Sequence, residues 1–141
     1  MQEQEVLKIH PVALAFVGDA AYSLYVREKL IRSGEDKPIV YQKAASAAVS
    51  ARGQNALLQK IEPIFTEEEA EIFRRARNSK KNSKAKNATA AEYNRSTGLE
   101  AVIGYLYLSK NYARLEEILS LTAISTAKTR EEMQKIKEFK P

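Results

Sequence analysis

Residues 15–30 read AFVGDAAYSLYVREKL. Around this stretch, Pro11 to Arg32 carries apolar side chains at Leu14, Val17, Ala20, Ala21, Leu24 and Ile31, close to the three-and-four spacing of an amphipathic helix. The spacing predicts one long helix with that face inward, opened by Pro11 and ended at Ser33-Gly34. One acid, Asp19, stands beside Gly18 in its apolar part. The residues three and four positions away are Ala15, Phe16, Tyr22 and Ser23, all small or aromatic. A carboxylate buried in such company is costly unless a cation or hydrogen bonds meet it.

Working outward, a second helical stretch follows Pro38 and runs to about Ile61, alanine-rich through Ala51 and closed by Pro63. Thr66-Glu-Glu-Glu69 has the form of a capping box, with Phe65 placed to fold back and acids where the helix dipole favours them. A third helix therefore begins near Thr66 and ends around Asn78. Thr89-Ala-Ala-Glu92 repeats the capping pattern and opens a fourth, with Leu99, Val102, Ile103, Leu106 and Tyr107 on one broad face. Asn111 can cap a fifth, with Leu115, Ile118 and Leu119 inward. No stretch reads as a strand. The expectation is an all-α protein of one domain over residues 1–141: a core at about 11–120, an exposed basic loop at 78–88 and a charged tail at 128–141 that is a short helix or frayed.

At 141 residues the chain is long enough for one real core. Its longest early apolar run, Val12 to Val17, falls far short of the roughly 20 residues that cross a bilayer. The start, Met1 to Lys8, lacks a cationic and then apolar pattern, which predicts no secretory leader and a cytoplasmic protein. Cysteine is absent, which excludes disulfides, thiolate nucleophiles and sulfur-ligated zinc. The lone histidine, His10, precedes Pro11 at a helix start, where a structural role is the ordinary one. Carboxylates, lysines, hydroxyls and hard metal ions are left for chemistry.

A second acid, Glu100, repeats the pattern of Asp19. It lies in RSTGLEAVIGYLYL, residues 95–108, with Ser96 and Gly104 four positions away and Thr97 three. Two such acids can meet over one metal, or each can pair with a basic side chain or cap a helix end in the core. Charge is the other asymmetry. The net charge is +5, yet Arg74, Arg75, Arg77, Lys80, Lys81, Lys84 and Lys86 fall in one run, Ile72 to Ala91, without an acid. Such a run is either a solvated surface or an anion-attracting field of the kind phosphate backbones exploit. No aromatic residue interleaves with its lysines, which disfavours single-stranded nucleic acid.

These residues resemble the Mini-III ribonucleases, compact relatives of ribonuclease III without its double-stranded-RNA-binding domain. The carriers are ALAFVGDAAYSLYVR (13–27), VSARGQ (49–54), FTEEEAEIFRRARNSK (65–80), Lys86-Asn87 and STGLEAVIGYLYL (96–108), collinear over Pro11 to Glu117. The resemblance implies a helical ribonuclease III-type endonuclease domain, working as a homodimer, that hydrolyses double-stranded RNA with Mg²⁺ and matures the ends of precursor large-subunit ribosomal RNA. It implies Asp19 and Glu100 as the catalytic, Mg²⁺-binding acids. It implies RNA contacts at Arg74, Arg75, Arg77, Asn78, Lys80, Lys81, Lys84, Lys86 and Asn87, with Arg52 and Gln54 as further candidates. Full-length ribonuclease III carries two more carboxylates, one helical turn from each acid, and Ala15 and Thr97 stand there in this chain. It departs from the Mini-III pattern at Ala76, Ala85 and Asn94-Arg95. The competing readings are a catalytically silent duplex-RNA-binding domain of the same fold and a helical protein-interaction module.

Overall fold

The computed structural model describes residues 1–79 and 89–138. The chain forms α1 (Glu3–Val6), α2 (Pro11–Arg32), α3 (Pro38–Val49), α4 (Ala51–Ile61), a tight turn at Glu62–Ile64, α5 (Glu67–Arg77), α6 (Ala90–Leu108), α7 (Tyr112–Leu119) and α8 (Ala127–Glu138). No strand occurs among the described residues, so the all-α expectation holds.

The core is built around α6. From Ser96 to Leu106 every residue is buried except Glu100. A helix buried on nearly all sides is a central one, and α2, α4, α5 and α7 pack around it. The buried residues of α2 include Leu14, Ala15, Gly18, Tyr22, Val26 and Leu30, an every-fourth-residue ridge that meets α6 at Leu14 and Gly18. This register corrects the predicted inward face. Leu24 is 65% exposed, Ile31 59% and Phe16 82%, and Ala20 is exposed as well. Gly18 sets the register, because only the glycine edge of α2 lets the α6 backbone come into contact. A Cβ on Gly18 would lie 1.7 Å from the Glu100 carbonyl oxygen, and one on Gly104 would lie 1.9 Å from that of Leu14.

The expected single helix up to Ile61 is two helices with a corner at Ser50, whose backbone is extended at φ −63°, ψ 161°. The Ser50 hydroxyl donates to the Ala47 carbonyl at 2.7 Å and accepts from Gly53 N–H at 3.1 Å, capping α4. Both predicted capping boxes form, at Thr66/Glu69 and Thr89/Glu92. Phe65 folds back onto Phe73, ring centroids 5.7 Å apart. His10 caps α2, its Nδ1 accepting from Val12 N–H at 3.1 Å, which is the structural role expected of it. Asn111 caps α7. The charged tail is helical to Glu138, and Thr126 and Thr129 exchange hydrogen bonds at its start.

Among the described residues one ion pair is buried. Glu69, 2% exposed, accepts from Arg114 Nε at 2.9 Å and Nη2 at 2.8 Å, and Nη2 also donates to the Ile64 carbonyl at 2.7 Å. Burial alone raises the Glu69 pKa, but the Arg114 guanidinium and the Thr66 hydrogen bonds outweigh it and hold the carboxyl below the usual range. The pair locks α7 to the start of α5.

Candidate active site

The glycine contact between α2 and α6 brings the backbones that carry the two singled-out acids to one helix crossing. Residue 18 touches the backbone of residue 100, and consecutive Cα atoms are about 3.8 Å apart, so Asp19 and Glu100 flank one crossing point on adjacent helices. Asp19 is exposed and Glu100 half-buried. This corrects the reading of Asp19 as an acid in a buried position: Gly18 faces the core, and its neighbour, about 100° round the helix, faces out. Among the described residues no basic side chain is in ion-pair reach of Asp19. The positions one turn earlier point inward: Ala15 packs in the core, and the buried Thr97 hydroxyl donates to the Tyr93 carbonyl at 3.1 Å. Neither offers a carboxylate. Among the described residues no group of three or more acid, histidine or cysteine side chains is arranged so that it could hold a metal ion.

Gln54, expected among the RNA contacts, is buried and lies against Glu100. It is 3% exposed, its Nε2 donates to the Val49 carbonyl at 3.1 Å and reaches Glu100 Oε2 at 3.5 Å, and its Oε1 is buried without a protein partner. Its amide is thus turned toward Val49 and Glu100 rather than toward solvent. Its VSARGQ neighbour Arg52 is exposed on the first turn of α4.

The described part of the basic run lies at the end of α5. Three glutamates in its first turn and three arginines in its last match the helix dipole. Arg74 is bound to Glu71, with Nη2 2.6 Å from Oε1, and Arg77 Nε donates to Asn78 Oδ1 at 3.2 Å. Arg75 and Asn78 are exposed or partly so. The Phe73 ring, against which Gly98 packs, has the guanidinium groups of Arg77 and Arg95 5.7 and 5.6 Å from its centroid. Gly98 lies two residues before Glu100 on α6, so the end of α5 packs on a neighbouring turn of the same helix. Lys80, Lys81, Lys84, Lys86 and Asn87 lie outside the described residues, as does Ala85.

Two of the departures from the family pattern acquire a place. Ala76 is buried in the core face of α5. Arg95 pairs with Glu62 and donates from Nε to Asn55 Oδ1 at 3.1 Å, while Asn55 Nδ2 donates to the Ala51 carbonyl at 2.8 Å and the Glu92 carbonyl at 3.1 Å. Together they tie α4 to the segment of α6 that leads into Glu100. Sequence reasoning missed this network, whose only signal was the displaced arginine. Beside the site, a groove of about 630 Å³ runs between α2 and α3, lined by Ser23, Arg27, Ile31, Tyr41, Ser46 and Val49 among others.

Comparison with known proteins places this helical arrangement in a class: the Ribonuclease III domain family matches residues 12–111. A Mini-ribonuclease 3 of Streptococcus pneumoniae is 45% identical over 82% of this chain and 92% of its own length. One from Brevibacillus brevis is 44% identical over 84% of this chain and 92% of its own. A crystal structure of a Fusobacterium nucleatum protein superposes with a TM-score of 0.72 at 32% identity, covering 81% of this chain and 91% of that one. The chain belongs to the Mini-ribonuclease 3 family, and it is an endoribonuclease of the ribonuclease III type, acting on double-stranded RNA.

Proposed function

We propose that the whole chain is one catalytic unit in which Asp19 and Glu100 hold Mg²⁺ and direct hydrolysis of duplex RNA. The observation that supports this is the Gly18–Gly104 crossing, because Asp19 follows one of its contact residues and Glu100 supplies the other's backbone partner. The donor set suits a hard cation: two carboxylates, one of them open to solvent, leave most of the coordination shell to water, as Mg²⁺ prefers. When bound, Mg²⁺ supplies the Lewis acidity that makes water a nucleophile near neutral pH and offsets the charge developing on the phosphate. The residues of the chain do the rest. Asp19 and Glu100 fix where that chemistry happens, the rigid crossing holds their separation, and the cationic end of α5 with the basic run draws in the RNA backbone. A-form duplexes are read by shape, phosphates and 2′-hydroxyls, which suits Arg74, Arg75, Arg77, Asn78, Lys80, Lys81, Lys84, Lys86, Asn87 and the exposed Arg52. The resemblance to Mini-III ribonucleases supports the ends of precursor large-subunit ribosomal RNA as the substrate and the cytoplasm as the site of action. No helix among the described residues is long and apolar enough to cross a membrane.

The test of the RNA surface is the salt dependence of duplex binding. Removing one phosphate-neutralising side chain lowers the slope of log affinity against log salt by up to about 0.9. Changing Lys80, Lys81, Lys84 and Lys86 together to alanine is expected to weaken binding and flatten the slope by roughly 2 to 4. An unchanged slope removes the run from the RNA contacts.

The homodimer belongs to the same proposal. Phe16, Ala20, Leu24 and Ile31 form an exposed apolar edge of α2 beside Asp19. Burying one such large side chain is worth about 1.5–3 kcal/mol, so the edge favours a covering surface. A second copy of α2 is the surface that would cover it. Sedimentation is expected to give twice the 15.9 kDa chain mass and, for Leu24→Glu, the single-chain mass. A single-chain mass for the unaltered protein overturns the dimer.

A further inference from the structure

Gln54 is a costly residue where it stands. The other buried side chains of α4 are Leu57, Leu58 and Ile61, and a methionine or leucine at 54 would continue that apolar face at similar volume. The amide leaves Oε1 buried without a protein partner, which lowers stability relative to an apolar side chain. Its orientation is set by its surroundings, because a flipped amide would put Oε1 against both the Val49 carbonyl and the Glu100 carboxylate. Val49 ends α3, where carbonyls lack helical partners, and the corner beyond it is held by the two Ser50 hydrogen bonds. The amide therefore connects a rigid corner to Glu100, the one residue of the central run of α6 that is not buried.

We propose that Gln54 is a positioning residue, whose Nε2, anchored on Val49, holds the Glu100 carboxylate in the conformation that receives the divalent cation. The proposal rests on the reading of Glu100 as a cation ligand. A glutamate has several side-chain torsions to immobilise when it takes up a metal, and a fixed donor removes part of that entropic cost beforehand. Hydrogen-bond partners behind metal ligands commonly govern affinity by about 10–100-fold.

The experiment measures Mn²⁺ binding by electron paramagnetic resonance in the full chain, alongside thermal melting and duplex-RNA affinity without divalent cation. For Gln54→Met, and for Gln54→Leu as a second variant, Mn²⁺ affinity is expected to fall about 10–100-fold. The melting temperature should stay or rise, and duplex affinity should not change. In a Glu100→Asp background, whose shorter carboxylate is out of reach of the amide, Gln54→Met should add less than about a twofold further loss. Unchanged Mn²⁺ affinity overturns the proposal, as does a melting temperature lowered in both variants, which would make the role structural. A fall in duplex affinity with Mn²⁺ affinity intact also overturns it and returns Gln54 to the RNA contacts. An equal loss in the Glu100→Asp background overturns it too, by showing that Gln54 acts elsewhere. The parent reading fails separately, if Glu100→Gln binds Mn²⁺ as tightly as the unaltered protein.

Discussion

Gly18→Ala is expected to cost upward of about 3 kcal/mol, lowering the melting temperature by roughly 10 °C or more. The new methyl carbon would sit 1.7 Å from the carbonyl oxygen of Glu100 and 2.8 Å from the amide nitrogen of Gly104. Ordinary overpacking costs about 1–3 kcal/mol because side chains can turn aside. Here the obstacles are backbone atoms of the central helix, so α2 and α6 must separate along their whole contact. Gly104→Ala meets the Leu14 carbonyl at 1.9 Å and should behave alike. The double variant should cost less than the two singles added, since helices already parted by one methyl accommodate the second. Gly34→Ala is the control: its φ is +89° but nothing lies within 4 Å, so only local backbone strain is at stake. Calorimetric melting checks all four proteins, and a Gly18→Ala melting temperature within about 2 °C of the unaltered protein would show that the helices do not cross in backbone contact.

Asp19→Asn and Glu100→Gln are each expected to lower the cleavage rate of duplex RNA by about a thousandfold or more, some 4 kcal/mol of barrier, while binding to the duplex stays within a few-fold. If the two carboxylates hold the cation as proposed, losing one removes that hold, and the cationic end of α5 is untouched. For Asp19 the fold should not suffer, because the side chain is exposed and has no ion-pair partner among the described residues. Surface changes of that kind stay within about 0.5 kcal/mol. Single-turnover cleavage with Mg²⁺, paired with a binding measurement, separates the two effects. Turnover retained in either variant refutes the pair as the metal centre.

The two acids are legible in the sequence, as carboxylates near glycines in apolar helices, but what makes them a pair is not. Gly18 and Gly104 are separated by 86 positions, and no local pattern states that they touch. The same limit explains Gln54. Its motif suggests a contact with RNA, whereas the corner at Ser50 turns α4 so that the side chain lies against Glu100. That corner is hidden because the alanine-rich stretch before it and the leucines after it continue a helical pattern, and the serine that breaks it differs little from a serine within a helix.

What the sequence determined by itself were the features decided within about four residues: the capping boxes at Thr66 and Thr89, the Asn111 cap, the helices they open and the cationic end of α5. Those hydrogen bonds and dipole effects are local, so residue spacing is enough to predict them. The tertiary structure alone decided which edge of α2 turns inward. Spacing favoured Leu24 and Ile31, yet the ridge through Gly18 is buried instead. Close approach of two backbones depends on both helices at once, and the glycine edge admits α6 where a larger apolar residue would hold it away.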